Sequence, residues 1–453
     1  MSEEHIFHWE RHPAAEALQV DLLENALNKN PFLTSLDRDL HRLTSTRLFD
    51  WIDHFAVAYS DQAENSLMET GFERENVPSE GIACYHPGAL LPRIALVKNA
   101  IEASLAIFIK VDSIADFLQA HALSLPIEGS LFSGYRRALI SGENKVECWI
   151  CERRGTRTLL PVSETVPYLE RYLTAREKWQ TRIRRHEDED YAMNSLLDVA
   201  DELVGLIGMD VAAHVIMESE RAYWQSRNSA GQIQKARQDR LGMGWANHDH
   251  HTFRSSRRHF PNLVRLFETV GFHCREKFYA GAEAGWGAQV MENPRSGHVL
   301  FLDLDLAAEE LLMDFAHQRL PELDRLGTVG LWCALHGDSI LQAGMHHLEA
   351  QFNFDDLIRE LSRRGIETMP AFSDFSYLKQ AFTKGEVWPV EAARINMLQE
   401  KKLISAEEGD RFKSQGALGS HLENLQRREG YKGFNQKNVS DIIKRTDPRA
   451  ISV

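Results

Sequence analysis

The sequence predicts an α+β protein in which βαβββ modules repeat to form curved mixed sheets, with a helical insertion and a helical C-terminal tail. The first observation is a short apolar run at residues 51–58, followed by a polar helix and Gly71-Phe72. The second is the same order at residues 248–272, where a histidine-rich run precedes a helix and Gly271-Phe272. The third is length, since 453 residues exceed the roughly 250–300 at which one hydrophobic core stops growing.

The N-terminal half contains two cycles of the repeated pattern. Residues 14–50 place apolar side chains at helical spacing and predict helix. Beyond them, short apolar runs alternate with polar helical segments and end before a charged stretch. We expect strands near residues 51–58, 83–85, 94–97, 105–111, 137–140 and 146–151, and helices at 61–70 and 114–121.

The C-terminal half repeats the pattern after a heavily charged helical insertion. We expect strands near residues 250–253, 289–291, 298–303 and 347–352, and helices at 260–267, 307–326 and 355–364. The last segment favours two or three polar helices. The predicted division is a helical segment 1–48, an N-terminal half 49–161 without metal, a helical insertion 162–240, a metal-binding half 241–395 and a helical tail 396–453.

Composition excludes several classes of function. The net charge of −14 argues against a nucleic-acid platform, whose affinity depends on clustered Lys and Arg. No stretch approaches the ~18–20 apolar residues of a membrane span, and the first 13 residues carry no apolar signal region. Five cysteines, an odd and small number, fit the reduced thiols of a cytoplasmic protein.

Histidine occurs in two predicted first strands of the C-terminal half. Side chains alternate along a strand, so His250 and Thr252 share one face, as do His347 and Glu349. When two such modules pair, one histidine from each converges on the same side of the sheet. One added carboxylate completes the two-His-one-carboxylate arrangement that suits non-haem iron(II) oxygenases. His248, His251 and His346 remain alternatives to the two chosen histidines.

Several local patterns resemble the vicinal oxygen chelate superfamily. They are Asp249-His250 with its helix and Gly271-Phe272, and His346-His347-Leu348 followed by Asp355-Asp356-Leu357 and Gly365-Ile366. The layout of two halves is similar to 4-hydroxyphenylpyruvate dioxygenases. Other segments resemble the 2-oxoadipate dioxygenase/decarboxylase family; these are His250 with Arg254, 301–306, 378–383 and 390–394. The resemblance covers residues 245–395 well and 49–161 only as a pattern.

The resemblance implies a set of site residues. His250 and His347 match its two histidine ligands, Glu391 matches its carboxylate ligand, and Arg254 matches the arginine that holds a substrate carboxylate. It implies Fe(II), or another divalent metal such as Zn, Ni or Mn. From its own position, on a strand beside a glycine-rich turn, Gln289 is expected to orient the substrate.

The predicted function is that of a non-haem Fe(II)-dependent dioxygenase acting on a 2-oxo acid, by oxidative decarboxylation with hydroxylation. Its partners are then a small carboxylic or 2-oxo acid and O2, with neither nucleic acid nor membrane. The alternatives are a metal-dependent isomerase or lyase of the same fold, with Glu391 as base, and a non-enzymatic small-molecule-binding protein. The N-terminal half offers His54 but no histidine in its partner strand, so we expect it to be a structural platform or a homodimer interface.

Overall fold

Two mixed sheets form the framework of the protein, and the predicted α+β class with repeated βαβββ modules is confirmed. The computed structural model describes residues 9–98, 104–435 and 446–449. The first sheet contains β1 (Ile52–Ala58), β2 (Glu73–Glu75), β3 (Ile82–Tyr85), β4 (Arg93–Val97), β5 (Leu105–Lys110), β6 (Tyr135–Glu143) and β7 (Val146–Arg153).

The remaining strands belong to the C-terminal half. They are β8 (His248–Arg254), β9 (His273–Tyr279), β10 (Trp286–Asn293), β11 (His298–Asp305), β12 (His347–Gln351), β13 (Ser373–Phe375), β14 (Leu378–Phe382), β15 (Val387–Trp388), β16 (Ala417–Leu418) and β17 (His421–Arg427). Strands β15 and β16 pair with each other as a separate ribbon, and the other eight form the second sheet.

Helices cover one face of each sheet and fill the insertion. They are α1 (Pro13–Lys29), α2 (Pro31–Asp39), α3 (Asp61–Glu69), α4 (Ile114–Ala120), α5 (Val166–Gln180), α6 (Glu189–Ile207), α7 (Met209–Gln225), α8 (Ser229–Asp239), α9 (Phe260–Thr269), α10 (Thr328–His336), α11 (Phe354–Ser362), α12 (Ala392–Glu400) and α13 (Ala406–Gln415). None of the described helices is both long and apolar enough to cross a bilayer.

The two sheets share one strand order. The first runs β2-β3-β4-β1-β5-β7-β6, and the second, from its opposite edge, β9-β10-β11-β8-β12-β17-β14-β13. In each, two first strands pair antiparallel at the centre, and each of them has a parallel partner on its outer side. The first strands are β1 and β5 in one sheet and β8 and β12 in the other, as the internal repeat predicts.

The helices that follow these first strands begin in similar ways. Ser60, Ser113 and Asn353 each accept a hydrogen bond from the backbone N–H three residues on, which caps α3, α4 and α11. Helix α9 instead has Pro261 in its first turn, where a missing N–H costs nothing. The local sequence therefore sets the start of each module helix.

Alternation along the strands divides each sheet into a helix-covered face and an inner face. In the second sheet, Phe253 and Leu302 pack under the helices, whereas Val290 and Phe301 belong to a separate apolar cluster on the inner face. In the first sheet, Ala106 lies in the corresponding inner cluster. The inner face of the second sheet carries the candidate site.

Two predicted helical segments differ from the structure. Residues 307–326 contain only a short 3-10 turn, Ala308–Leu312, and α10 begins after them. Pro321 lies in that stretch, and proline removes a backbone donor and clashes with the preceding turn of a helix. The apolar and acidic residues there mimic a helical pattern that the proline interrupts.

The predicted helical tail also contains a central strand. Residues 396–453 include the end of α12 and all of α13, but β17 lies inside the second sheet between β12 and β14. Leu422 and Leu425 pack into the core from this strand. Residues 436–445 and 450–453 of the predicted tail, and residues 1–8 of the predicted N-terminal segment, lie outside the described residues.

Candidate metal centre

Three neighbouring strands bring two histidines and a carboxylate together on the inner face of the second sheet. His250 is on β8, His347 on β12 and Glu423 on β17, and a possible ligand atom of each lies within 4.8 Å of the other two. His347 Nε2 is 3.1 Å from Glu423 Oε2. The pairing explains this placement, because Glu349 of β12 is opposite both His250 and Glu423. All four side chains are buried.

The ring of His250 is oriented by a buried ion pair behind it. Its Nδ1 lies 3.2 Å from Asp249 Oδ1, and Arg427 donates to both oxygens of Asp249 at 2.9 and 3.0 Å. Burial raises the pKa of Asp249, but the charge of Arg427 and the hydrogen bonds outweigh it and hold the pKa below its usual range. An ionised Asp249 accepts from Nδ1–H, which leaves Nε2 of His250 as a lone-pair donor for a metal.

His347 is also a buried histidine whose ring is held by neighbouring side chains. Burial lowers its pKa, and the charges of His250 and Arg254 lower it further, so the ring is neutral. Nδ1 of His347 lies 3.0 Å from Nδ1 of His346, and its Nε2 is 2.8 Å from the hydroxyl of Thr252. With Nδ1 engaged by His346, Nε2 is the nitrogen that faces Thr252 and Glu423, and a neutral ring can bind a metal through it.

A second carboxylate, that of Glu349, lies beside the first. Gln380 Nε2 donates to Glu349 Oε1 at 3.2 Å and to Glu423 Oε1 at 3.1 Å, and Glu349 also contacts Nε2 of His250. Burial raises the pKa of both carboxyls, and the charge of Glu423 raises that of Glu349 further. Two adjacent buried carboxylates repel each other, and a bound divalent cation would relieve this repulsion.

Other described residues also form groups that could hold a metal. One is His346, His347 and His421, which shares His347 with the first group, and another is Asp249, His250 and Glu349. A third, on the surface, combines Glu268, Cys274 and His317. Only the His250, His347 and Glu423 group joins two histidines and one carboxylate from three adjacent strands, which is the donor set of a facial triad.

A cavity of about 70 Å³ opens in front of this group. Its apolar wall consists of aromatic side chains: Phe278, Trp286, Phe301, Phe372, Phe382 and Phe434. Its polar lining includes the three grouped residues, Thr252, Arg254, Asp303, His346 and Gln380. An apolar cavity with a few convergent polar groups is the usual form of a small-molecule site.

Arg254 lies in this cavity with hydrogen-bonding capacity left over. It is 3% exposed, and its Nε and Nη1 have no hydrogen-bond partner among the described residues. Its nearest carboxylate is Asp303, at 3.9 Å, and its guanidinium lies 5.6 Å from the ring centre of Trp332. Burial lowers the pKa of Arg254, yet an arginine remains protonated in proteins. The cavity therefore offers a buried cation to an anionic ligand.

The structure does not bring Glu391 to the histidines. Glu391 precedes the first residue of α12, its carboxylate contacts Arg185 and accepts from Gln342 at 2.8 Å, and its side chain is 37% exposed. Glu423 occupies the position beside the two histidines that was expected for Glu391. It therefore replaces Glu391 in the proposed ligand set. The signal for Glu423 was the tripeptide His421-Leu422-Glu423, which repeats His347-Leu348-Glu349 after a Gly-Ser turn.

Gln289 does not line the cavity. On β10, Ala288 and Val290 belong to the inner cluster, so alternation turns Gln289 to the helix-covered face. There its amide donates to the backbone oxygens of Glu276 and Val290, both at 3.0 Å. The expectation that it orients substrate is therefore wrong in this structure.

The alternative histidines lie in different places. His251 is on the helix-covered face with His248, their ring centres 5.2 Å apart, and neither lines the cavity. His346 does line the cavity, next to His347.

No family model matches, and no curated protein matches. Similar solved structures include methylmalonyl-CoA epimerase from Mycobacterium tuberculosis, at 10% identity and a TM-score of 0.23, covering 40% of this chain and 89% of that one. A variant of 4-hydroxymandelate synthase from Streptomyces coelicolor is 14% identical with a TM-score of 0.28, covering 87% and 97%.

A variant of glyoxalase I from Zea mays is 16% identical with a TM-score of 0.18, covering 24% of this chain and 44% of that one. These likenesses are too distant to carry an argument about activity. The strand order and the grouped side chains carry it instead.

Proposed function

We propose that this chain is a non-haem Fe(II)-dependent dioxygenase acting on a small 2-oxo acid, with His250, His347 and Glu423 as metal ligands. The observation that carries the proposal is the meeting of these three side chains at one end of a buried aromatic cavity that also contains Arg254. Two imidazoles and one carboxylate suit Fe(II) and leave coordination positions open.

The donors fit a divalent metal in charge as well as in type. Glu349 and Glu423 lie together in a buried site, and the only described arginine paired to this cluster, Arg427, is already neutralised by Asp249. A dication would compensate the carboxylates that the protein leaves in excess. When bound, Fe(II) supplies the activation of O2 and a chelation site for a 2-oxo carboxylate.

The protein's own residues position the substrate and exclude water. Arg254 presents two nitrogens, Nε and Nη1, without a partner among the described residues, which suit a carboxylate at the end of the substrate distant from the metal. The aromatic wall encloses the carbon chain between the two ends and keeps bulk water from the reacting atoms. Gln380 holds Glu423 in place from the opposite side of the carboxylate.

The proposed reaction consumes one O2 and releases one CO2. One oxygen atom enters the new carboxylate of the shortened acid and the other its new hydroxyl group, so no external reductant is needed. The test is O2 uptake and CO2 release by Fe(II)-loaded protein with a panel of aliphatic and aromatic 2-oxo acids. We expect stoichiometric uptake and release with at least one acid; an absence of iron-dependent O2 uptake with every acid overturns the proposal.

A metal-dependent isomerase or lyase is the second candidate, favoured by the position of Glu349. This extra carboxylate contacts Nε2 of His250, directly behind the cavity lining, and a carboxylate beside a metal can serve as a base in such reactions. Such an enzyme works without O2 and with Zn, Ni or Co. Turnover of a 2-oxo or 2-hydroxy acid under argon, lost in Glu349→Gln, supports it over the dioxygenase. Protein that retains no stoichiometric metal points instead to a binding protein.

A further inference from the structure

A second group of possible metal ligands lies on the opposite face of the second sheet from the cavity. It contains Glu268 near the end of α9, Cys274 on β9, and His317 in the segment between β11 and α10. One possible ligand atom of each residue lies within 4.8 Å of those of the other two. Cys274 packs against the core beneath the helices, and none of the three residues lines the cavity. The two groups are therefore separate.

The ring of His317 is oriented as in many metal sites. Its Nδ1 lies 2.9 and 3.0 Å from the two carboxylate oxygens of Asp314, and its Nε2 lies 2.9 Å from Oε1 of Glu268. When Nδ1–H donates to Asp314, the lone pair of Nε2 is available to a metal beside Glu268. A carboxylate behind a ligating histidine is a recurrent feature of zinc sites, because it fixes the ring and raises its basicity. Without a metal, a protonated ring makes both contacts.

The three side chains can reach one ion from solvent. Those of Glu268 and His317 are 39% and 48% exposed, and Cys274 is half-buried. Zinc–ligand bond lengths place neighbouring ligand atoms of a tetrahedral site roughly 3.3–3.7 Å apart. The distance from His317 to Glu268 is already close to this value, and the third atom lies within 4.8 Å of both. Small rotations of the two exposed side chains therefore suffice to close the group around an ion.

The segment that carries His317 is long and nearly without regular structure. Residues 306–327 contain one short 3-10 turn, and connections of this length in compact domains usually have a function. Lys277 of β9 already attaches the segment to the sheet, because its Nζ donates to the backbone oxygens of Leu311 and Met313 at 3.0 and 2.7 Å. An ion held by His317 would attach the segment a second time to the same strand.

We propose that Glu268, Cys274 and His317 bind a zinc ion, with Asp314 orienting the histidine. A thiolate and an imidazole favour zinc over magnesium or calcium, and the carboxylate of Glu268 completes a set of three protein ligands. Zinc binding displaces the thiol proton of Cys274 to solvent, and water takes the fourth coordination position. The ion joins α9, β9 and the segment 306–327. This site does not depend on the proposed dioxygenase function.

The experiment is a titration of the full-length protein with cobalt(II), a spectroscopic substitute for zinc. Cobalt(II) bound to a thiolate gives a charge-transfer band in the near ultraviolet, and no cysteine lines the cavity proposed for iron. We expect the band in the unaltered protein and in His347→Ala, and we expect zinc to remove it by displacing the cobalt. Absence of the band from the unaltered protein overturns the proposal. A band that His347→Ala abolishes belongs to the cavity and also overturns it.

Variants identify the ligands of this second site. Cys274→Ser should abolish the band, and Asp314→Asn should weaken zinc binding by roughly ten- to hundredfold, as measured by competition with a metal chelator. His317→Ala, at an exposed position that tolerates truncation, should weaken it further and keeps the test available if Cys274→Ser fails to fold. His273→Ala is the matched control, because this exposed histidine is on the same strand but contacts Glu292.

Two results would contradict the assignment of these ligands. Zinc affinity that is unchanged in both Cys274→Ser and His317→Ala means that surface carboxylates alone hold the ion. A loss of zinc in His273→Ala as large as that in His317→Ala means that the ion lies elsewhere on β9.

Discussion

Both halves of the chain contain a buried arginine–aspartate ion pair that contacts a histidine. They differ in the side chains that surround that histidine. In the C-terminal half, Arg427 at the end of β17 holds Asp249, which contacts His250. In the N-terminal half, Arg153 at the end of β7 donates to both oxygens of Asp53 at 2.7 Å, and Asp53 is 2.7 Å from Nδ1 of His54. An arginine, an aspartate and a histidine therefore recur at equivalent positions of both sheets.

The other positions differ. Strand pairing places Phe108 opposite both His54 and Trp149, as Glu349 is opposite both His250 and Glu423. Trp149 thus replaces the carboxylate, and Ala106 takes the place of His347.

The aromatic side chains of the first sheet stack where the second sheet gathers its donors. His54 stacks on Phe108 at 4.0 Å, and Phe108 on Trp149 at 5.6 Å. The first inner face is thus filled by packing, and the second has a cavity with unpaired polar groups. An oriented histidine is thus common to both halves, whereas among the described residues the two further donors of the proposed metal group come from β12 and β17 alone.

The largest expected effect is the loss of metal on removal of a donor. We expect His347→Ala or Glu423→Ala to reduce iron retained after gel filtration from about one per chain to a trace. Loss of a supporting residue alone costs roughly ten- to hundredfold in affinity, so a missing ligand costs more. The measurement is elemental analysis of the purified variants.

Two controls sharpen this result. His54→Ala removes the equivalent histidine of the first sheet and should leave the iron content unchanged. Glu391→Gln should also leave it unchanged, because that side chain is bonded to Gln342 and Arg185 away from the histidines. Loss of iron in Glu391→Gln, with retention in Glu423→Ala, would restore the ligand set predicted from sequence.

The arginine–aspartate ion pair that both halves contain offers a matched pair of substitutions. Asp249→Asn and Asp53→Asn each leave a buried arginine without its charge partner, so we expect both to lower the free energy of unfolding by about 3–5 kcal/mol. Only Asp249→Asn should also weaken metal binding, by roughly ten- to hundredfold, because it releases the ring of His250. Urea unfolding and competition with a metal chelator measure the two effects, and equal metal affinity in the two variants would contradict the comparison.

Packing should stabilise the first inner face more than the second. Phe108→Ala removes a buried ring from the stack, and we expect a loss of about 3–5 kcal/mol in the free energy of unfolding without any change in metal content. Glu349→Gln, at the equivalent position, replaces a buried carboxyl whose ionisation is opposed by burial and by Glu423, and should make the metal-free protein more stable. If Glu349→Gln instead destabilises the metal-free protein, the hydrogen bonds of Glu349 outweigh the unfavourable burial of its carboxyl, and this prediction is wrong.

The smallest expected effect concerns pH, and again two histidines with aspartate partners behave differently. Burial lowers the pKa of His54 to about 4 despite Asp53. Burial also lowers that of His259, but its hydrogen bond and charge interaction with Asp338 outweigh burial and raise the pKa to about 9. His259 therefore contributes stability that is complete below its unfolded pKa of about 6.5 and is lost as the pH rises through about 9.

We expect His259→Gln to remove about 2–3 kcal/mol of stability at pH 6 and progressively less toward pH 10. For His54 the sign is opposite, because a depressed pKa contributes stability above about 6.5 that is lost as the pH falls toward about 4. Urea unfolding of His259→Gln and of His54→Ala across pH 4–10 measures these two pH dependences. A difference between His259→Gln and the unaltered protein that is constant with pH would exclude the assigned pKa.

The repeat, the histidine-bearing first strands and the alternation of faces could all be predicted from sequence. They depend on local rules, since a strand shows its period of two in its own residues, as β8 does from His250 to Arg254, beyond the register shift at its start. The cap residues Ser60 and Ser113 likewise act on the next turn of chain. The assignment of His250 and His347 to one inner face needed only these rules.

Glu423 and Gln289 show where local rules end. His421 to Arg427 alternates weakly, because both of its faces are buried and polar residues occur on each, so the segment did not stand out from the helices before it. Its place beside β12 depends on pairing with residues more than seventy positions earlier. Gln289 was correctly assigned to a strand, but which face of β10 is the inner one follows only from the packed cluster.

By itself, the sequence determined the modules, the strands that carry histidine and the absence of His from the partner strand of the first sheet. Only the tertiary structure decided which carboxylate meets the histidines and that Arg254 is left with donors that have no partner among the described residues. The physical reason is that periodicity and capping act over a few residues, whereas a metal site is assembled by strand pairing and burial between segments distant in the chain.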